Sequence, residues 1–220
     1  MNKNALIFRD LEADEIECRI STVSEKGLSL LLYKDARCDM NILDETVGAY
    51  NWQRRHSRDN ANCSVEIWDE EKGQWIAKED TGTESNTEAA KGLASDSFKR
   101  ACFNWGIGRE LYTAPFIWIT ADDCNLKPRS DGKYVSFDKF KVQAITIKDK
   151  RITGLSIYSI SKKKVVYTYG KVSDPRQELK AFIQEHGLDE AQVCLNCGLN
   201  QASTSKEFKA ALEYARGLVS

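Results

Sequence analysis

Residues 86–105 read NTEAAKGLASDSFKRACFNW, and the fold turns on this stretch. At 100° per residue, Ala90, Ala94, Phe98, Ala101, Cys102 and Trp105 fall on one apolar stripe, while Asp96, Lys99 and Arg100 fall opposite it. Asn86 or Ser85 supplies an N-cap, Glu88 an acidic first turn, and Gly106 and Gly108 a stop. Moving outward, 50–57, 63–68 and 74–81 read as three strands. In the second, Cys63, Val65 and Ile67 alternate with polar residues, and Asp69 to Gly73 supplies the turn into the third. Further upstream, 16–23 and 28–33 flank a Gly-containing loop and predict a hairpin. Met40, Leu43 and Val47 then predict a short helix that Gly48 ends. Downstream, 137–147, 151–160 and 164–169 predict three more strands. The order is sheet, central helix, sheet, with no alternating βαβ pattern. The expected class is therefore α+β: a β-β-β-α core with an antiparallel sheet packed on the central helix, plus extra β-hairpin strands. After Gly170 the pattern turns helical. Ser173-Asp174-Pro175 suits a cap with Pro at N1, and 175–186 and 204–217 predict helices. Residues 1–171 are read as the main domain and 172–220 as a small C-terminal helical appendage.

The chain has 220 residues, 41% hydrophobic and 30% charged, which is globular usage with enough apolar mass for a core. No apolar run is long enough to span a membrane. The acidic N-terminal stretch does not suit a secretory signal, so the expected location is the cytoplasm. Seven scattered cysteines suit reduced thiols. Cys194 and Cys197 form one CxxC with no second pair, and the plain reading is two small apolar residues in a helical tail. The net charge of −1 conceals a split. Residues 127–171 hold twelve Lys and Arg against three Asp, a balance of +9, and the rest of the chain carries −10. Such a split points to a polyanion partner or to acidic surface on a neighbouring subunit.

Much chemistry is absent. There is no GxxxxGK[ST] loop to cradle phosphates, and no HExxH or GxSxG. The two histidines, His56 and His186, lie near no evident nucleophile or metal cluster. Gly106-Ile107-Gly108 follows a helix, so it is no dinucleotide loop. The expectation is a binding protein without catalytic residues, metal or cofactor.

Residues 50–58 read Tyr-Asn-Trp-Gln-Arg-Arg-His-Ser-Arg. Flat rings stack on bases and guanidinium groups meet phosphates, so aromatics interleaved with arginines suit single-stranded nucleic acid. The competing reading makes Trp52 core and the arginines plain surface.

Three segments in order carry a resemblance: Asp44 to Trp52 (DETVGAYNW), Lys78 to Gly82 (KEDTG), and Glu88 through Asp96-Ser97-Phe98-Lys99-Arg100-Ala101 to Trp105-Gly106. Together they resemble the Rad-fifty-two-type single-strand annealing proteins, including their phage relatives of the Sak group, over about Arg37 to Tyr112. The resemblance implies an ATP-independent protein that binds single-stranded DNA, anneals complementary strands in homologous recombination and DNA repair, and assembles a homo-oligomeric ring, as a phage or prophage recombinase does. It implies that Lys99 and Arg100 hold the DNA backbone and that Tyr50 shares their groove. Glu79 to Gly82 and Trp52 are framework by the same comparison. The chain departs from the family twice. Its Gly-Ala-Tyr-Asn-Trp stands where the family has Gly-Tyr-Asn-Gly-Trp, and Phe103 replaces a third basic residue. Phe103 lies near Lys99 and Arg100 on the helical wheel, placed to stack on a base or on a neighbouring subunit. Arg54, Arg55 and Arg58 are the candidates for the missing charge. By analogy, 172–220 binds a partner such as a single-strand-binding protein or a companion exonuclease. The alternatives are an RNA- or duplex-binding β-β-β-α module without annealing activity, a metal-dependent nuclease, and a scaffold whose charges serve subunit contacts.

Overall fold

The computed structural model describes residues 6–83, 89–172, 174–200, 203 and 205–219. Among these the elements are β1 (Glu17–Ser24), β2 (Gly27–Tyr33), α1 (Ala36–Val47), β3 (Trp52–Ser57), β4 (Asn62–Asp69), β5 (Gln74–Thr81), α2 (Ala89–Trp105), β6 (Ile117–Thr120), β7 (Lys127–Pro128), β8 (Tyr134–Val135), β9 (Phe140–Lys148), β10 (Arg151–Ser159), β11 (Lys164–Gly170), α3 (Pro175–His186), α4 (Glu190–Asn196) and α5 (Ser205–Val219). The class is mixed α+β with antiparallel sheets. The chain divides into two compact units, Met1–Leu11 with Lys34–Tyr112, and Glu12–Tyr33 with Thr113–Ser220.

The first unit holds α1, β3, β4, β5 and α2. Asp35 caps α1 by accepting from the backbone N–H of Arg37 and Cys38, and Gly48, at φ 84°, ends the helix where its missing Cβ relieves the strain. The strands β3, β4 and β5 form a three-stranded meander. Cys63, Val65 and Ile67 are buried as the alternation predicts. Helix α2 lies against that face. Phe98, Ala101 and Cys102 are fully buried, and the Trp105 indole N–H donates to the Val65 carbonyl at 2.9 Å. Burying a Phe side chain contributes about 1.5–3 kcal/mol, so Phe98 is a principal anchor of the helix. The expected caps Ser85 and Asn86, and Glu88, lie outside the described residues, as does the Ala90 side chain. A close approach fixes the start of the packing. A Cβ on Gly82 would stand 2.5 Å from the Ser97 backbone nitrogen and 2.7 Å from the Leu93 carbonyl oxygen.

The second unit holds a six-stranded sheet in the order β11-β10-β9-β1-β2-β6. It is nearly closed like a barrel: the Tyr167 hydroxyl on one edge strand donates to the Phe116 carbonyl beside the other at 3.1 Å. Leu28, Leu30, Ile117, Ile119, Leu155 and Ile157 fill its core. The β9–β10 turn puts Asp149 and Lys150 at φ 52° and 57°, the left-handed pair that tight hairpins need. The strand predicted from 137 begins at Phe140. The hairpin read at 16–33 is present, but the sequence reading did not place it in one sheet with the later strands. Strand β6 was not foreseen either. It has only four residues, and its ladder partner β2 lies far back in the chain. Helices α3, α4 and α5 enclose a cluster of their own, made by Leu179, Ile183, Val193, Phe208, Ala211, Leu212 and Ala215. Asp174 caps α3 with Pro175 at N1, as expected. Helix α4, seven residues long, was not foreseen, and it carries Cys194 with Cys197 as its C-cap. Among the described residues no group of His, Cys, Asp and Glu is arranged to hold a metal, and no helix is long and apolar enough to cross a membrane.

Candidate nucleic-acid interface

The outward face of α2 is held in place by polar contacts on both flanks. On one flank, the Asn104 amide donates to the Glu79 carbonyl (3.0 Å) and to Asp80 (3.2 Å), while Lys78 donates to the Asn104 carbonyl at 2.9 Å. Ser97 donates to the Asn60 carbonyl at 3.0 Å, tying the helix to the β3–β4 turn. In that turn Arg58, Asp59 and Asn60 all have positive φ. These contacts set the rotation of α2, and the rotation decides which of its side chains face water.

Lys99, Arg100 and Phe103 are all half-buried on that helix. Arg100 donates from Nε to Asp96 at 2.9 Å. Burial pushes the Asp96 carboxyl up, but bonds from the Thr83 backbone N–H and from Arg100 outweigh it and hold the group below the usual carboxylate range. Asp96 therefore stays ionised and orients Arg100, whose guanidinium fork has further donors for a phosphate. The Lys99 charge acts on Asp39 of α1, a fully buried carboxylate paired with Lys34. Burial raises the Asp39 pKa to about 6, against the pull of Lys34 and Lys99.

Two residues that sequence reasoning missed complete the patch. Gly106 and Gly108, at φ 107° and 72°, turn the chain back over the last turn of α2. A Cβ on Gly108 would also collide with the Lys34 side chain. Arg109 then donates to the Phe103 carbonyl (2.8 Å) and the Asn104 carbonyl (2.9 Å), adding a cation at the C-terminal end of the helix. Its guanidinium carbon stands 5.6 Å from the centre of the Phe103 ring. Tyr112 packs on Phe103 at 4.6 Å between ring centroids, is 72% exposed, and acts electrostatically on Arg100. The available signal was the glycine pair, which reverses the chain and returns whatever follows to the helix end.

The β3 candidates do not converge. Tyr50 is 98% exposed and precedes β3, while Arg58 follows it, a strand length of roughly 20 Å away. Arg54 and Arg55 point to opposite faces. Arg54 lies over the Phe98 ring at 4.9 Å, beside α2, whereas Arg55 lies 3.6 Å from Glu66 on the face away from α2. Trp52 stacks on Phe98 and donates to Asp44 at 2.7 Å, which is a framework role. Burial and the Arg54 charge hold His56 below its ordinary pKa, so it stands neutral at pH 7. The structure thus gathers Lys99, Arg100, Phe103, Arg109 and Tyr112 about the end of α2, with Arg54 on its flank. Tyr50, Arg55 and Arg58 lie apart from one another. No family model, curated protein or solved structure matches the chain.

Proposed function

We propose that this chain binds single-stranded DNA across the outward face of α2 and anneals complementary strands without nucleotide, as a homo-oligomer acting in recombination and repair. The observation that carries the reading is the cluster of Arg100, Phe103, Arg109 and Tyr112, in which two rings and two guanidinium groups share one patch. Stacked bases and phosphates need that pairing of groups. Lys99 and Arg54 extend the positive rim along the helix. The likeness of the Lys99-Arg100 helix to the Rad-fifty-two-type annealing proteins supports the same reading, with β3, β4, β5 and α2 as the β-β-β-α core. Phosphates lie against Lys99 and Arg100 and bases stack on Tyr112, so base edges stay open to a second strand. Pairing drives the reaction forward, since each base-pair step contributes about 1.4 kcal/mol of stacking, and no fuel is consumed. The test is annealing of two complementary labelled oligonucleotides, without nucleotide, with and without magnesium. Fast annealing that needs neither agrees with the reading. A protein that binds no single strand and accelerates nothing overturns it, and a preference for duplex RNA selects the alternative module.

A further inference from the structure

The β4–β5 hairpin carries a second surface that the α2 patch does not use. A groove of about 720 Å³ lies beside its turn, with Val47, Ile67 and Trp105 among the residues lining it. Asp69, Glu70, Glu71 and Lys72 stand at its rim; Lys72 pairs with Asp69 at 2.8 Å, which leaves the exposed Glu70 and Glu71 as the net negative charge. On the strands that enter and leave this turn, Trp68 and Trp75 pack edge to face at 5.5 Å and are 37% and 39% exposed. The groove floor lies on the α2 face of the hairpin and the tryptophan pair on the opposite face, so the turn presents apolar surface on both sides, and a rim of three carboxylates against one lysine selects a cationic occupant. Nucleic acid is a poor fit, since a phosphate would meet that acidic rim.

We propose that this groove receives the Phe137 knob of a second copy of the chain. Phe137 is 77% exposed, and Lys127 stands over its ring at 5.8 Å. Lys133 and Lys139 are its close sequence neighbours within the segment that carries +9, and the adjacent Asp138 is turned to Asn125, which donates to it twice. The ring fits the apolar floor and the lysines fit the rim, so the charge split along the chain becomes complementarity between copies. The other strongly exposed phenylalanine, Phe116, is a weaker candidate. It stacks on Trp118, and its carbonyl accepts from Tyr167 at the seam of the six-stranded sheet. Groove and knob are different surfaces, so the contact is head-to-tail and repeats from copy to copy. This inference rests on the self-assembly part of the proposed function and leaves its nucleic-acid part aside.

Assembly is therefore measured without DNA, by size exclusion with light scattering on the full chain. The variants are Phe137→Ala, Glu70→Lys with Glu71→Lys, Lys127→Glu with Lys139→Glu, and the two charge reversals combined. The altered residues are exposed, and circular dichroism checks that each variant keeps the wild-type fold. The expected result is a multimer for the wild type, a shift toward the mass of one chain for the first three, and recovery of the multimer by the combined charge swap. Folded variants that keep the wild-type mass overturn the assignment, as does a combined swap that stays dissociated. A wild type that is monomeric at all concentrations removes self-assembly altogether, while oligonucleotide binding by the same sample judges the α2 patch separately.

Discussion

Tyr112 shows how much a single side chain is asked to do. It is largely exposed and packs on Phe103, so its removal leaves the core alone while taking away the flat surface next to Arg100. Tyr112→Ala should weaken oligonucleotide binding by roughly five- to 150-fold, the range that corresponds to about 1–3 kcal/mol for a stacked base. Fluorescence anisotropy reads this directly, and unchanged affinity in a variant with wild-type circular dichroism would remove Tyr112 from the site. Asp39 sets a different test. Its folded pKa of about 6 lies above its ordinary 3.8 because burial disfavours the charge. The native state therefore binds more protons than the unfolded chain between about pH 4 and 6. Stability falls as pH rises through that window and levels off above it. Asp39→Asn should flatten this part of the pH profile of Tm, and a profile with the wild-type slope would contradict the assignment.

Gly82 controls the placement of α2. The Cβ of an alanine there would press on the Ser97 nitrogen and the Leu93 carbonyl, both backbone, so the helix has to shift. Gly82→Ala should cost about 1–3 kcal/mol by overpacking, read as a lower urea midpoint at constant m. An unchanged midpoint would mean that the approach is looser than the structure shows. Helix α2 was legible in the sequence because its stripe, its stop glycines and its polar face agree at one period, and Phe98 and Cys102 sit where that stripe puts them. The meander was legible for the same reason, through the alternation of Cys63, Val65 and Ile67. Tertiary placement was not. Periodicity shows neither that β1 pairs with β9 across more than a hundred residues nor that the four residues of β6 find a ladder. At the site, Lys99, Arg100 and Phe103 were legible as a helix face. Arg109 and Tyr112 were not, because they reach the patch through a glycine-reversed turn whose direction no spacing rule specifies. Arg55 was grouped with Arg54 by sequence proximity, yet adjacent strand residues face opposite ways.

At the scale of the whole chain, the charge split and the α2 patch make distinct demands. The basic stretch lies in the second unit, while Lys99, Arg100, Arg109 and Arg54 lie in the first. Either set can meet a polyanion, and salt dependence tells them apart, since each phosphate neutralised on a single strand contributes about −0.7 to the slope of log affinity against log salt. Four contacts at the α2 patch give a slope of about −3 per subunit. The most direct test of the central claim is that slope, measured by oligonucleotide titration for the wild type and for Lys99→Ala with Arg100→Ala. If α2 holds the backbone, the double variant keeps its fold, binds more weakly, and loses about 1.4 from the slope. A folded double variant with wild-type affinity and an unchanged slope would place the DNA elsewhere and contradict the account.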